Sequence, residues 1–171
     1  MTTQDDHWHA IRIIDARRYI LSFLETNSIE TFIPMASGRP LLGSIVFLRC
    51  SERFLFNLKS DFYSRIAVYR DSARTGFATI SDAEMDNFRM VVNIKGQEYI
   101  PLTITNPQFL KGSRVRVLDG PFKGAVGVVR RIKGDRRLVV SVSGICAVAT
   151  SFIRPELLEP VSGEEDCGDE A

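Results

Sequence analysis

The chain has 171 residues, 44% of them apolar and 25% charged, with a net charge of +1. That composition suits a folded protein with an aliphatic core and excludes extended disorder, while the length admits one large domain or two compact ones. No apolar run approaches the roughly 18 residues of a membrane helix. The polar start at 1–7 carries no signal-peptide pattern, and Cys50, Cys146 and Cys167 are too scattered for a disulfide framework or zinc site. The expectation is a cytoplasmic protein with no membrane attachment, metal or cofactor.

Residues 8–14 alternate and are rich in β-formers, which predicts an opening strand, with Asp15 placed to cap the helix that follows. Ala16, Tyr19, Ile20, Phe23 and Leu24 then fall on one helical stripe, ending near Asn27. Residues 29–35 predict a second strand, 36–40 a turn and 42–48 a third strand buried on both faces. A short helix is expected over 52–60, then two strands at 66–70 and 76–80 around a polar loop. Ser81 and Glu84 have capping-box spacing, with Ser81 accepting from the third amide of a helix and Glu84 reaching back. Met85, Phe88, Val91 and Val92 supply the apolar face of that helix. The order β-α-β-β-α-β-α predicts an α/β sandwich over 1–97.

Residues 98–109, with Pro101, Asn106 and Pro107, are the expected linker. Beyond it, short strands at 114–117, 126–132, 138–142 and 145–149 with turns between them predict a small barrel over 110–161. Charge follows the same division. Residues 1–109 hold twelve Lys/Arg and twelve Asp/Glu, 110–160 hold ten and four, and 161–171 hold none and five. The barrel is therefore basic, and 162–171 reads as an acidic, disordered tail.

The run Lys111-Gly112-Ser113-Arg114-Val115-Arg116-Val117-Leu118-Asp119-Gly120-Pro121-Phe122-Lys123-Gly124-Ala125-Val126-Gly127-Val128-Val129 resembles the KOW motif of NusG and of several ribosomal proteins. Its glycines suit tight turns and close strand approach, and its alternating valines suit a small interior. The preceding domain, with its Trp8 strand, the helix from Ala16, Phe32-Ile33-Pro34, and Arg39-Pro40-Leu41 leading into a strand with Phe47, resembles the NusG N-terminal domain. Together they cover about 7–161. Arg39-Pro40-Leu41 and residues 80–85 are most similar to specialised paralogues, including antiterminators of Bacteroides-type polysaccharide operons. The resemblance implies an α+β fold: an antiparallel sheet flanked by helices, then an SH3-like KOW barrel.

It also implies function. The first domain would dock on the clamp helices of the largest RNA polymerase subunit, hold the clamp closed and favour processive elongation, with no enzymatic step and no oligomer beyond the monomer. The family's aromatic Phe-Pro-Gly-Tyr-like segment is Leu42-Gly43-Ser44-Ile45 here, so Leu42, Ile45, Tyr19 and Phe47 are the polymerase-binding candidates. The barrel aromatic that contacts a ribosomal protein in the family falls at Ile145, which puts that contact in doubt. Arg17, Arg18, Arg39, Arg70 and Arg74 are candidates for non-template DNA, and the cluster Arg130, Arg131, Lys133, Arg136 and Arg137 for nascent RNA. Each of these apolar residues is otherwise core, and each arginine otherwise solvated surface.

Two other functions compete. A KOW protein that binds RNA or the ribosome without polymerase would depend on the basic hairpin at 130–137 and weaken steeply with salt. An enzyme using Cys50, or His7 and His9, would need an activated thiol or imidazole in a cleft.

Overall fold

The computed structural model describes residues 5–102 and 112–161, and the fold is α+β. The expected acidic tail and most of the expected linker lie outside the described residues.

Strand β1 (His7–Ile13) opens the chain, followed by α1 (Arg17–Thr26). The helix starts from Ala16 in the left-handed region, φ 56°, with no side-chain cap. Asp15 therefore does not cap it; its backbone N–H instead donates to the Arg65 carbonyl at 3.3 Å, drawn into the end of the sheet. The second strand is shorter than expected, β2 (Glu30–Phe32), and the turn after it contains a two-residue ladder, β3 (Met35–Ala36) with β4 (Arg39–Pro40). Strand β5 (Ile45–Cys50) leads to α2 (Glu52–Asp61), capped by the Ser51 hydroxyl accepting from Phe54 N–H at 3.2 Å. Strand β6 (Ile66–Val68) follows, but 76–80 forms only isolated bridges, Arg70 with Phe77 and Trp8 with Ile80. Asp71 explains that: its carboxylate accepts from Thr75 N–H, Thr75 Oγ1 and Gly76 N–H, committing the segment to a turn.

The first sheet is antiparallel throughout, in the order β2-β5-β1-β6. Side-chain alternation gives it two apolar faces. Ile11, Ile13, Val46, Leu48 and Cys50 face α1 and α2 through Ile20, Leu24, Leu55 and Leu58. Trp8, Ala10 and Phe47 face α3 (Asp82–Val92), which presents Met85, Phe88, Val91 and Val92 as its spacing predicts. Phe47 packs edge-on to Phe88 at 5.7 Å and stacks on Phe32 at 6.3 Å, contacts worth about 0.5–1.5 kcal/mol each beyond burial.

Strand β7 (Ile100–Leu102) lies inside the expected linker yet pairs antiparallel with the barrel. The barrel continues with β8 (Arg114–Val117), β9 (Val126–Ile132), β10 (Asp135–Val142) and β11 (Cys146–Phe152). A 3-10 turn at Pro155–Leu157 then leads into β12 (Leu158–Pro160), giving the sheet order β12-β8-β9-β10-β11-β7. Gly124 takes φ 87° in the turn before β9, a conformation closed to most residues. Gly127 has a different reason: a Cβ there would run into the Val139 carbonyl oxygen. The two glycines therefore respond differently to alanine. Gly124→Ala, with open space around its Cβ, costs about 1 kcal/mol of backbone strain, whereas Gly127→Ala costs about 2–3 kcal/mol because β9 and β10 must separate. Urea unfolding of the two variants reads the difference.

Candidate functional site

The face of α3 turned away from the first sheet carries the barrel. Asn87, in mid-helix, uses its side-chain amide as a short piece of strand edge: Nδ2 donates to the Val126 carbonyl at 2.8 Å and Oδ1 accepts from Val126 N–H at 2.9 Å. At the start of the helix, Ser81 caps α3 by accepting from Glu84 N–H at 3.2 Å, as its spacing predicts. Glu84 does not complete the capping box. Its carboxylate instead accepts from the Ser143 backbone N–H and, at 2.7 Å, from Ser143 Oγ in the β10–β11 turn. Tyr99 closes the other end: its hydroxyl donates to the Val91 carbonyl at 2.6 Å, and its ring meets Phe122 of the barrel edge-on at 6.4 Å. Around these bonds one apolar cluster runs from Trp8, Phe47 and Phe88 through to Phe122, Leu138, Val142 and Ile145.

Against this frame the sequence candidates separate. Leu42 and Ile45 are half-buried and pack beside the same cluster, so both retain surface. Tyr19 is 63% exposed and rests edge-on against Phe62 at 5.9 Å. Phe47 is wholly buried, because its position on β5 faces α3; it is core, not surface. Ile145 is 9% exposed, within the cluster that joins barrel and helix, so its side chain is not presented to a partner in this arrangement.

The arginines divide likewise. Arg17 is half-buried beside a shallow cleft that also includes Ile14, Pro40 and Gly43, and its Nη1 reaches the Gly43 carbonyl at 3.5 Å, next to Leu42. Arg18, Arg39, Arg70 and Arg74 are exposed, with Arg70 lying over the Phe77 ring at 5.8 Å. In the β9–β10 hairpin, Arg131, Lys133 and Arg136 are exposed and Arg130 is half-buried. Arg137 is structural: it donates to the carbonyls of Ile132 and Thr150 and pairs with Asp135 at 3.2 Å. Two further exposed aromatics, Phe56 on α2 and Tyr63 just beyond its end, escape a reading based on periodicity because they fall outside the apolar stripes.

The thiols of Cys50 and Cys146 are buried, and that burial pushes both up to about 12, so they stay protonated at neutral pH. His9 is buried; the Ala78 carbonyl, 2.9 Å away, can only accept, so the proton sits on Nδ1, and desolvation holds the imidazole below its usual range. His7 is exposed. Among the described residues no group of three or more His, Cys, Asp or Glu could hold a metal, and no helix is long and apolar enough to cross a membrane.

Residues 111–143 match the KOW motif family, so the chain carries a KOW motif spanning β8, β9 and β10. We find no match among curated proteins. Among solved structures, the chain is similar to NusG of Thermotoga maritima, described for its domain interaction. Identity there is 14%, covering 92% of this chain and 98% of that one, with a TM-score of 0.49. It is also similar to the MjSpt4:Spt5 complex in conformation A, at 16% identity, 92% and 99% coverage and a TM-score of 0.30.

The seam is built from few polar contacts, so it is sensitive to single changes. Asn87→Ala leaves both Val126 backbone groups without their side-chain partner and costs about 1–3 kcal/mol of closure; with Glu84→Ala added, the barrel leaves α3. Amide exchange at Val126 and Ser143 then accelerates while that of Ile11 and Val46, in the first sheet, does not.

Proposed function

We propose that the chain is a NusG-type transcription elongation factor that binds RNA polymerase through its first domain and sustains processive elongation, as an antiterminator of specific operons. The observation that carries this reading is the KOW motif of 111–143 on a barrel that follows an antiparallel α/β domain. Motif and fold alone leave the role open, since one architecture hosts many functions. The surface narrows it. Leu42 and Ile45 form a half-exposed aliphatic pair at the start of β5, and Tyr19 is an exposed aromatic on α1.

On this reading Leu42, Ile45 and Tyr19 contact the clamp helices of the largest polymerase subunit, and Arg17, Arg18, Arg39, Arg70 and Arg74 lie toward non-template DNA. The factor acts by differential binding. It favours the closed, elongating polymerase by the difference between its affinities for closed and open forms, a coupling of about 1–3 kcal/mol in typical cases. No group in the chain is asked to transfer a proton or form a bond. The arrangement suits the cytoplasm and a monomer.

One observation favours a second reading, RNA binding by the barrel alone: the exposed arginines Arg131 and Arg136 face each other across β9 and β10. Binding of the full chain to immobilised core RNA polymerase separates the two. The polymerase reading predicts that Leu42→Asp with Ile45→Asp weakens binding by about tenfold or more and that Arg131→Ala with Arg136→Ala leaves it unchanged. No binding to polymerase, together with RNA binding that the arginine pair abolishes, would overturn it.

A further inference from the structure

Glu84 stands at the third position of α3, where a capping box needs it, yet its carboxylate is engaged on the barrel. The Ser81 half of the box is made, with Oγ accepting from Glu84 N–H at 3.2 Å. The reciprocal half is open. Among the described residues no group accepts from the Ser81 backbone N–H, and Ser81 is exposed. The backbone on either side is already set: Ile80 N–H donates to the Trp8 carbonyl at 2.8 Å, and Ser81 has the extended angles of a helix cap, φ −68° and ψ 151°.

The two positions of the carboxylate exclude each other. Oε1 accepts from Ser143 N–H and Oε2 from Ser143 Oγ at 2.7 Å, so both oxygens face the β10–β11 turn. The Ser143 hydroxyl has one proton, and its other acceptor, the Thr79 carbonyl, is farther away at 3.4 Å, so the proton goes to Glu84. Both bonds end on one residue and therefore break together when the barrel lifts. Glu84 is then left beside a cap that lacks only a carboxylate. Rotation of its own side chain completes the box, a reach that this spacing permits without backbone movement.

We propose that Glu84 is a two-position latch: on Ser143 it holds the barrel against α3, and on the Ser81 amide it seals the start of α3 when the barrel leaves. Opening is then an exchange of charge-assisted bonds, not a bare loss of two. The exchange protects the first domain, because α3 inserts Met85 and Phe88 into the core beneath it and a frayed first turn would loosen both. The same helix stays intact in both arrangements, and the barrel can return to it. This assignment rests on the seam and does not depend on polymerase binding.

The test displaces the barrel of the full chain while keeping Glu84. Asn87→Ala with Ile145→Asp removes the amide pairing and puts a charge into the apolar seam, and backbone relaxation reports the departure of the barrel. In this open variant the Ser81 amide exchanges with solvent about three- to tenfold more slowly than in the wild type. Adding Glu84→Gln keeps most of that protection, since glutamine also completes the box, and adding Glu84→Ala abolishes it. In the wild-type background Glu84→Ala instead speeds exchange at Ser143 and leaves Ser81 unchanged. The readout lies in the first domain, so it stands even where the new aspartate weakens the barrel's own fold. Equal Ser81 exchange in the closed and open chains, or open-chain protection that survives Glu84→Ala, overturns the proposal. So does a barrel that stays seated in the double variant, for then the second position is never reached.

Discussion

The arrangement of the whole molecule depends on the pairing of one amide with one strand residue. A backbone N–H and C=O at a strand edge must find partners when another element packs on them. Asn87 satisfies both groups of Val126 from a single side chain. A purely apolar contact between α3 and the barrel would tolerate sliding and rotation; this pairing sets orientation as well as distance. Glu84 and Ser143 lock the second coordinate, the angle of the barrel about α3, and Tyr99 ties the C-terminal end of the helix to the barrel through Phe122.

That constraint changes what the connection between domains can do. With Ile100 to Leu102 paired to β11, the barrel owns part of the segment that would otherwise be a free tether. Movement of the barrel away from α3 is therefore concentrated between the end of α3 at Val92 and the start of β7 at Ile100. Charge reinforces the separation of roles. The first domain is balanced in charge and offers an aliphatic edge at Leu42 and Ile45, whereas the barrel is basic and offers guanidinium groups. On the proposed reading the apolar edge meets another protein's helices and the basic hairpin a polyanion.

Elements with a strong local pattern were legible in the sequence: β1 by alternation, β5 by its continuous apolar run, α1 and α3 by their apolar stripes, and the Ser81 cap by its hydroxyl before an acidic turn. The KOW run was legible because its glycines obey local rules, Gly124 through its backbone angle and Gly127 through strand approach. What stayed hidden is non-local. Strand β7 contains a proline and pairs with residues more than forty positions away, so nothing within its own three residues marks it. Glu84 satisfied the capping-box spacing but found a better partner in Ser143, fifty-nine residues on. Phe47 read as either core or surface because a strand buried on both faces has no polar phase to orient it. Asn87 left a faint signal, a poor helix former between Met85 and Phe88, but only the barrel's position shows what it bonds.

The most direct test of this closed arrangement is the tumbling of the two parts of the wild-type chain in solution, read from backbone amide NMR relaxation. A barrel seated on α3 predicts one common correlation time for the residues of β1 and β5 and those of β9 and β10. Two distinct, shorter times would contradict it, because they would mean that the Asn87 and Glu84 contacts do not hold the domains together.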